Sequence, residues 1–273
     1  MLSHRDHNPL NIIFFTFLVE GKLKGTPLKT AKVIEREPVS SGAIMVHGLP
    51  DVGLVGVIAA SHLIAELNMV EMAYLDSDAL PPVAVLHEGL PHAPMRIFGD
   101  TNLLATISEM PIPANGVQLL MNTLLDWGLS KSPKLTVSIG GMPVQNRQDI
   151  DAPKVFGVAS HANLLELLEK KGITVLREGY MVGPQAIILR YCAEKNMPAI
   201  ALLAQSFYNY PDPEAAAAAL KEFSNITGIK VDVTKLLEKG EEIRLRARDV
   251  MKRTQQELTK MKKTQEYDLP LYV

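Results

Sequence analysis

From about Gly42 onward, short apolar runs alternate with segments whose apolar residues recur at helical spacing. Residues 43–47 form such a run, stopped by Gly48 and Pro50, and predict a buried strand. Residues 54–67 then place Leu54, Val57, Ile58, Leu63, Ile64 and Leu67 on one helix face. Residues 82–86 and 95–98 flank a stretch rich in Gly and Pro, which predicts a hairpin between them. Further strands are expected at 103–107, at 135–139 (ended by Gly140 and Gly141), at 154–159, at 173–176 and at 199–203. Helices are expected over 114–127, 163–170 and 184–195, and an Ala-rich one opens at Pro211-Asp212-Pro213. Strands this apolar, alternating with helices, predict an α/β domain whose central sheet is covered on both faces.

The pattern changes at the C-terminal end. Residues 235–263 carry ten Lys or Arg against five Asp or Glu, whereas residues 1–234 have a net charge of −5. Ile243, Ala247, Val250, Thr254, Leu258 and Met261 form a narrow stripe, predicting a charged helix over residues 233–263. Unbroken, it would run roughly 45 Å; Gly240 stands where it can break it. A seam so thin suits a helix packed on one neighbour, either a second copy of itself or its own domain. The chain thus divides into an N-terminal extension (1–28), an α/β body (29–232), the charged helix (233–263) and a tail (264–273).

Composition narrows the function classes. A net charge of −2 opposes non-specific nucleic-acid binding. Cys192 is the single cysteine, which excludes an internal disulfide and a cysteine-based zinc site and fits a reducing cytoplasm. On its predicted helix it reads as buried and inert. The apolar residues 11–19 fall short of the ~20 needed to span a membrane. They are followed by Glu20-Gly21-Lys22 in place of a small-residue cleavage site, so they read as a strand or an extension. No membrane association is expected.

Candidate chemistry centres on Gly48, Pro50, Asp51, Gly53 and Gly56, between the first strand and first helix. A P-loop would follow its last loop glycine with Lys and Ser or Thr, where this chain has Leu54 and Val55. The dinucleotide spacing is absent too, so these residues read as a close-packed turn, with a ligand loop as the alternative. His4, His7, His47, His62, His87, His92 and His161 form no metal-binding helix pair. No nucleophile elbow is present, and Asp76, Asp78, Glu88 and Glu109 read as loop carboxylates without acid–base spacing. Gly183 before Pro184 reads as a helix-start turn, with backbone N–H groups offered to an anion as the alternative. No catalytic residue, metal or cofactor is expected.

Several separated pieces resemble the proteasome assembly chaperone 2 family. They are Gly48-Leu49-Pro50-Asp51-Val52-Gly53-Leu54-Val55-Gly56, Leu80-Pro81-Pro82-Val83-Ala84-Val85, Ser108-Glu109-Met110-Pro111, Gly183-Pro184, and Leu203-Ala204-Gln205 with Pro211-Asp212-Pro213. Where that family often has a further glycine after Gly183-Pro184, this chain has Gln185-Ala186. The resemblance covers roughly residues 29–237. It implies a central mixed sheet flanked by helices, similar to purine nucleoside phosphorylases, with no known catalytic site. It further implies a non-enzymatic, cytoplasmic, archaeal-type partner of the 20S proteasome that forms homo-oligomers. The ending Leu271-Tyr272-Val273 resembles the hydrophobic–tyrosine–any-residue tails of proteasomal activators, which enter pockets between α-subunits. On that resemblance Leu271 fills an apolar slot, Tyr272 adds aromatic area and a hydroxyl, and Val273 supplies the carboxylate. The alternative is a nucleoside phosphorylase- or hydrolase-like enzyme on the same fold, using residues 48–56.

Overall fold

The structure is a computed structural model that describes residues 29–100 and 102–264. In chain order its elements are β1 (Ala31–Glu35), β2 (Ile44–Gly48), α1 (Val55–Glu66), β3 (Val70–Ser77), β4 (Val85–His87), β5 (Leu90–His92), β6 (Met95–Gly99) and β7 (Leu103–Ser108). They continue through α2 (Val117–Ser130), β8 (Leu135–Pro143), β9 (Val155–Ala159), α3 (Ala162–Lys170), β10 (Thr174–Val175) and α4 (Pro184–Glu194). The last are β11 (Ala199–Ser206), α5 (Pro213–Thr227), α6 (Thr234–Glu238) and α7 (Gly240–Thr264).

Nine strands form one mixed sheet in the order β1-β3-β6-β7-β2-β8-β11-β9-β10. Its centre, β7-β2-β8-β11, is parallel throughout, while β1, β3 and β6 add an antiparallel flank. One face buries Val46, Val137 and Ile139 under α1, α3 and α5, with Leu63 and Phe223 fully enclosed. The other buries Met45, Leu104 and Leu203 under α2 and α4. Full burial of such side chains contributes about 1.5–3 kcal/mol each, so both faces of the central strands must be apolar. The chain leaves β2 toward the β7 side and leaves β8 toward the β11 side. Strand order therefore reverses between β2 and β8, and an α/β sheet opens a crevice at the carboxyl ends of such a pair.

Three expectations are corrected. Residues 82–86 do not pair with 95–98. Instead β4 pairs with β5 in a separate small hairpin turned by Glu88 and Gly89, both at positive φ, and β6 joins the main sheet. Strand β8 does not stop at Gly140 and Gly141 but runs through them to Pro143, paired with β11 along its length. The third correction adds two strands that no apolar run had announced. β1 and β3 lie on the flank, where β1 has no buried residue and the exposed Lys32 and Asp76 pair across the two strands. Asp76 is thus a strand residue rather than a loop carboxylate.

The charged C-terminal segment is two helices, α6 and α7, interrupted at Lys239 just before Gly240. Its stripe lies on its own domain: Ile243, Ala247 and Val250 pack against the core beside α1 and α5, and Thr254, Leu258 and Met261 are buried farther along. Met251, outside the expected stripe, is also buried. Arg244 anchors the first turns by a two-oxygen contact with Glu214 of α5, at 2.6 and 2.5 Å. Among the described residues no helix is long and apolar enough to cross a membrane.

Candidate functional site

Residues 48–56 turn the chain from β2 into α1 at the crevice. Gly53 is left-handed, at φ +64°, and a Cβ there would lie 1.9 Å from Ser206 Oγ. At Gly56 a Cβ would meet the Ile139 carbonyl oxygen at 2.4 Å, and at Gly48 it would meet the Gly56 oxygen at 2.3 Å. The glycines let α1 sit directly on β2 and β8, as a close-packed turn requires. The same demand explains why β8 carries two glycines. A Cβ on Gly141 would meet the Val52 oxygen at 2.3 Å, and one on Gly140 would fall on the Gln185 amide.

The landmarks at 48–56, Gly183-Pro184 and 203–213, far apart in sequence, converge here. Asp51 Oδ2 accepts from the Gly141 N–H at 3.0 Å and from Gln185 Nε2 at 2.6 Å, so the first and fourth helices meet on one carboxyl group. Burial pushes this carboxyl well above the ordinary carboxylate range, against the pull of the Gly141 and Gly56 N–H groups and the Gln185 amide. The Gly53 oxygen accepts from the Asp212 N–H at 2.9 Å. Asp212, fully buried, caps α5 through the Ala215 N–H and takes a fork from Arg147, with Nε at 2.8 Å and Nη2 at 3.0 Å. Arg147 also donates to the Ile150 oxygen at 2.6 Å and lies over the Phe207 ring, which ties the loops after β8 and β11 together.

The end of α7 closes the crevice. Leu258 and Met261 pack on Val52 beside Val182, and both reach within 3.9 Å of the space above Gly183. Glu257 Oε2 accepts from the Ala114 N–H at 3.0 Å, pinning α7 to the loop before α2. Leu49, Asp51, Val52, Gly141, Gln185 and Leu258 line the small cavity beneath. Among the described residues nothing basic lines it, so they offer no cation to a phosphate there. Leu271, Tyr272 and Val273 lie outside the described residues, as do residues 1–28.

His47 is buried under α2 and α4, and neither ring nitrogen has a partner among the described residues. Burial lowers its pKa to about 4. Because the folded value lies below the unfolded one, the protein loses stability as pH falls from about 6.5 toward 4. The loss should reach about 3 kcal/mol, and His47→Leu should remove it. Urea midpoints measured at pH 7 and pH 4.5 check this; equal pH dependence in both proteins would refute it. Burial likewise pushes the Cys192 thiol up to about 12, which fits the inert role expected of it.

Sequence reasoning missed Gln185, Arg147 and Glu257. Gln185 was visible only as a departure from a glycine, and Arg147 gave no local signal. Asp212 could have been found, because an Asp before Pro and Glu at a helix start is a cap signature. A second network was also unseen: Arg96 Nη2 donates to Glu109 Oε2 at 2.6 Å and lies 2.8 Å from His87 Nε2, which places Glu109 in a structural cluster under the β4–β5 hairpin. Among the described residues no group of three or more His, Cys, Asp or Glu could hold a metal ion.

Known proteins share this architecture. A protein of Methanocaldococcus jannaschii whose function is not described is 26% identical over 243 residues, 89% of this chain and 98% of its own length. Pyrococcus furiosus PbaA, described as an archaeal homolog of proteasome-assembly chaperone, superposes with a TM-score of 0.78 at 28% identity, over 82% of this chain and 98% of that one. Pyrococcus furiosus PbaB, described as an archaeal proteasome activator, has the same fold, with a TM-score of 0.69 at 24% identity, over 81% and 98%. The model of the PAC2 family matches residues 45–251, from β2 into α7, and so takes in the 48–56 turn, Gln185 and the Arg147–Asp212 pair. This chain belongs to the PAC2 family.

Proposed function

We propose that the protein is a proteasome partner, chaperone-like or activator-like, that docks on the α-ring of the 20S core through Leu271, Tyr272 and Val273. The observation that carries the reading is membership in the PAC2 family, together with the 28% identity to PbaA over nearly all of that chain. The tail chemistry supports it, because an apolar residue, a tyrosine and a terminal carboxylate suit a pocket with a basic floor. The course of α7 supports it too: Met261 is held against the body, and Leu271 follows ten residues on. Three residues bind weakly alone, so the proposed form is a homo-oligomer that presents several tails at once, in the cytoplasm. It acts by binding, without catalysis or cofactor.

Capture on immobilised cognate 20S core tests this. The full chain should be retained, and a chain ending at Thr264 should pass through while keeping its circular dichroism spectrum. Light scattering on the same samples should give the same whole number of protomers, more than one, for both, with a protomer mass of 30.0 kDa for the full chain. Equal capture of the two chains would overturn the tail reading, and a monomer would overturn the multivalent one.

A further inference from the structure

The cavity under Leu258 has no role in docking a tail, yet it carries the features of a binding site. It lies at the carboxyl ends of β2 and β8, where strand order reverses and α/β sheets hold their ligands. Asp51 is only 8% exposed and lines it. Both hydrogen bonds from Gly141 and Gln185 fall on Oδ2, while Oδ1 has no partner among the described residues. A buried acceptor without a partner is where an unseen donor belongs.

Charge identifies that donor. The other buried carboxyl group of this region, Asp212, meets Arg147 at 2.8 Å, and so its charge is matched inside the protein. Among the described residues Asp51 has no such match, because none that line the cavity is Lys, Arg or His. Burial favours the protonated form of Asp51 when no cation is beside it; a cation that reaches it takes the place of that proton and stabilises the buried carboxylate. The walls exclude an anion and offer Leu49, Val52, Val182 and Leu258 as apolar surface. The cavity is about 40 Å³. One water needs about 10–15 Å³ on this measure, so the space admits an ammonium group and the first carbons of its stem.

We propose that this cavity binds a primary ammonium group on a slender alkyl stem, with Asp51 as its counter-charge and Leu258 of α7 as the wall that yields to the stem. The same chemistry is carried by a free alkylamine and by a lysine side chain of a partner protein. This inference is independent of the tail.

The test uses the full chain and propylammonium chloride, with sodium chloride at the same concentration as the blank. The melting temperature should rise with propylammonium beyond the blank, and should not rise with 1-propanol, which has the same shape without charge. Asp51→Asn keeps an acceptor for Gly141 and Gln185 but loses the charge, and should weaken propylammonium binding at least about tenfold. Leu258→Phe, which narrows the cavity without touching Asp51, should do the same and guards against a folding defect in the first variant. Nα-acetyl-lysine methylamide is titrated beside propylammonium, and tighter binding of the lysine derivative assigns the group to a partner chain. No stabilisation of the wild type above the blank, or equal binding by wild type and Asp51→Asn, would overturn the site.

Discussion

Tyr272→Ala should abolish retention on the 20S core while leaving the melting temperature and the oligomer mass unchanged. Truncating an aromatic anchor costs at least about 2 kcal/mol at an interface hot spot, or roughly thirtyfold in affinity for one tail. Several linked tails compound that loss, because each weakened contact also lowers the chance that the next one forms. One residue added after Val273 should do comparable damage by moving the carboxylate off its partner, and raised salt should weaken the wild type. Surface-immobilised cores exposed to the three proteins give the answer. Equal binding by all three would place the contact on the α/β body.

Arg147→Met carries the largest expected effect on stability. It leaves Asp212, fully buried, without its guanidinium fork, at the point where the loops after β8 and β11 are fastened. Breaking a buried pair from one side costs about 3–5 kcal/mol, most of it the uncompensated charge. The double variant Arg147→Met with Asp212→Asn should recover much of this, since Asn retains a side-chain oxygen for capping α5. Denaturant midpoints for the wild type, the single and the double variant decide it. A single-variant loss below about 1 kcal/mol would show that the pair is solvated enough to be dispensable.

How far the sequence could be read depended on where each residue's signal lies. The central strands and α1 to α5 were visible because both sheet faces are buried, which forces runs such as residues 43–47 and 199–203 to be apolar. β1 and β3 were hidden for the converse reason: on the flank, charges such as Lys32 and Asp76 interrupt the pattern. The helix-packing role of Gly53 and Gly56 followed from local spacing. The running of β8 through Gly140 and Gly141 did not, because its cause is the approach of Val52 and Gln185 from other parts of the chain. Gln185 and Arg147 gain their roles only through contacts 134 and 65 residues away. The stripe of α7 was evident, but not its partner, which is the body itself.

The seat of Gly53 also bears on how the protein is made. Its neighbours are Ser206 and Asp212, and the residues that cover it, Leu258 and Met261, come later still. The turn at 48–56 is translated early and waits roughly 160 residues for the far side of its socket. At about 5–20 residues per second, that interval is on the order of ten to thirty seconds. Until then α1 has β2, β7 and β8 to close on but lacks α5, its remaining large neighbour. α7 is made after β11 and α5, over a body whose other described parts are already in place. Chains that have not yet reached α7 are therefore confined to a partly built socket.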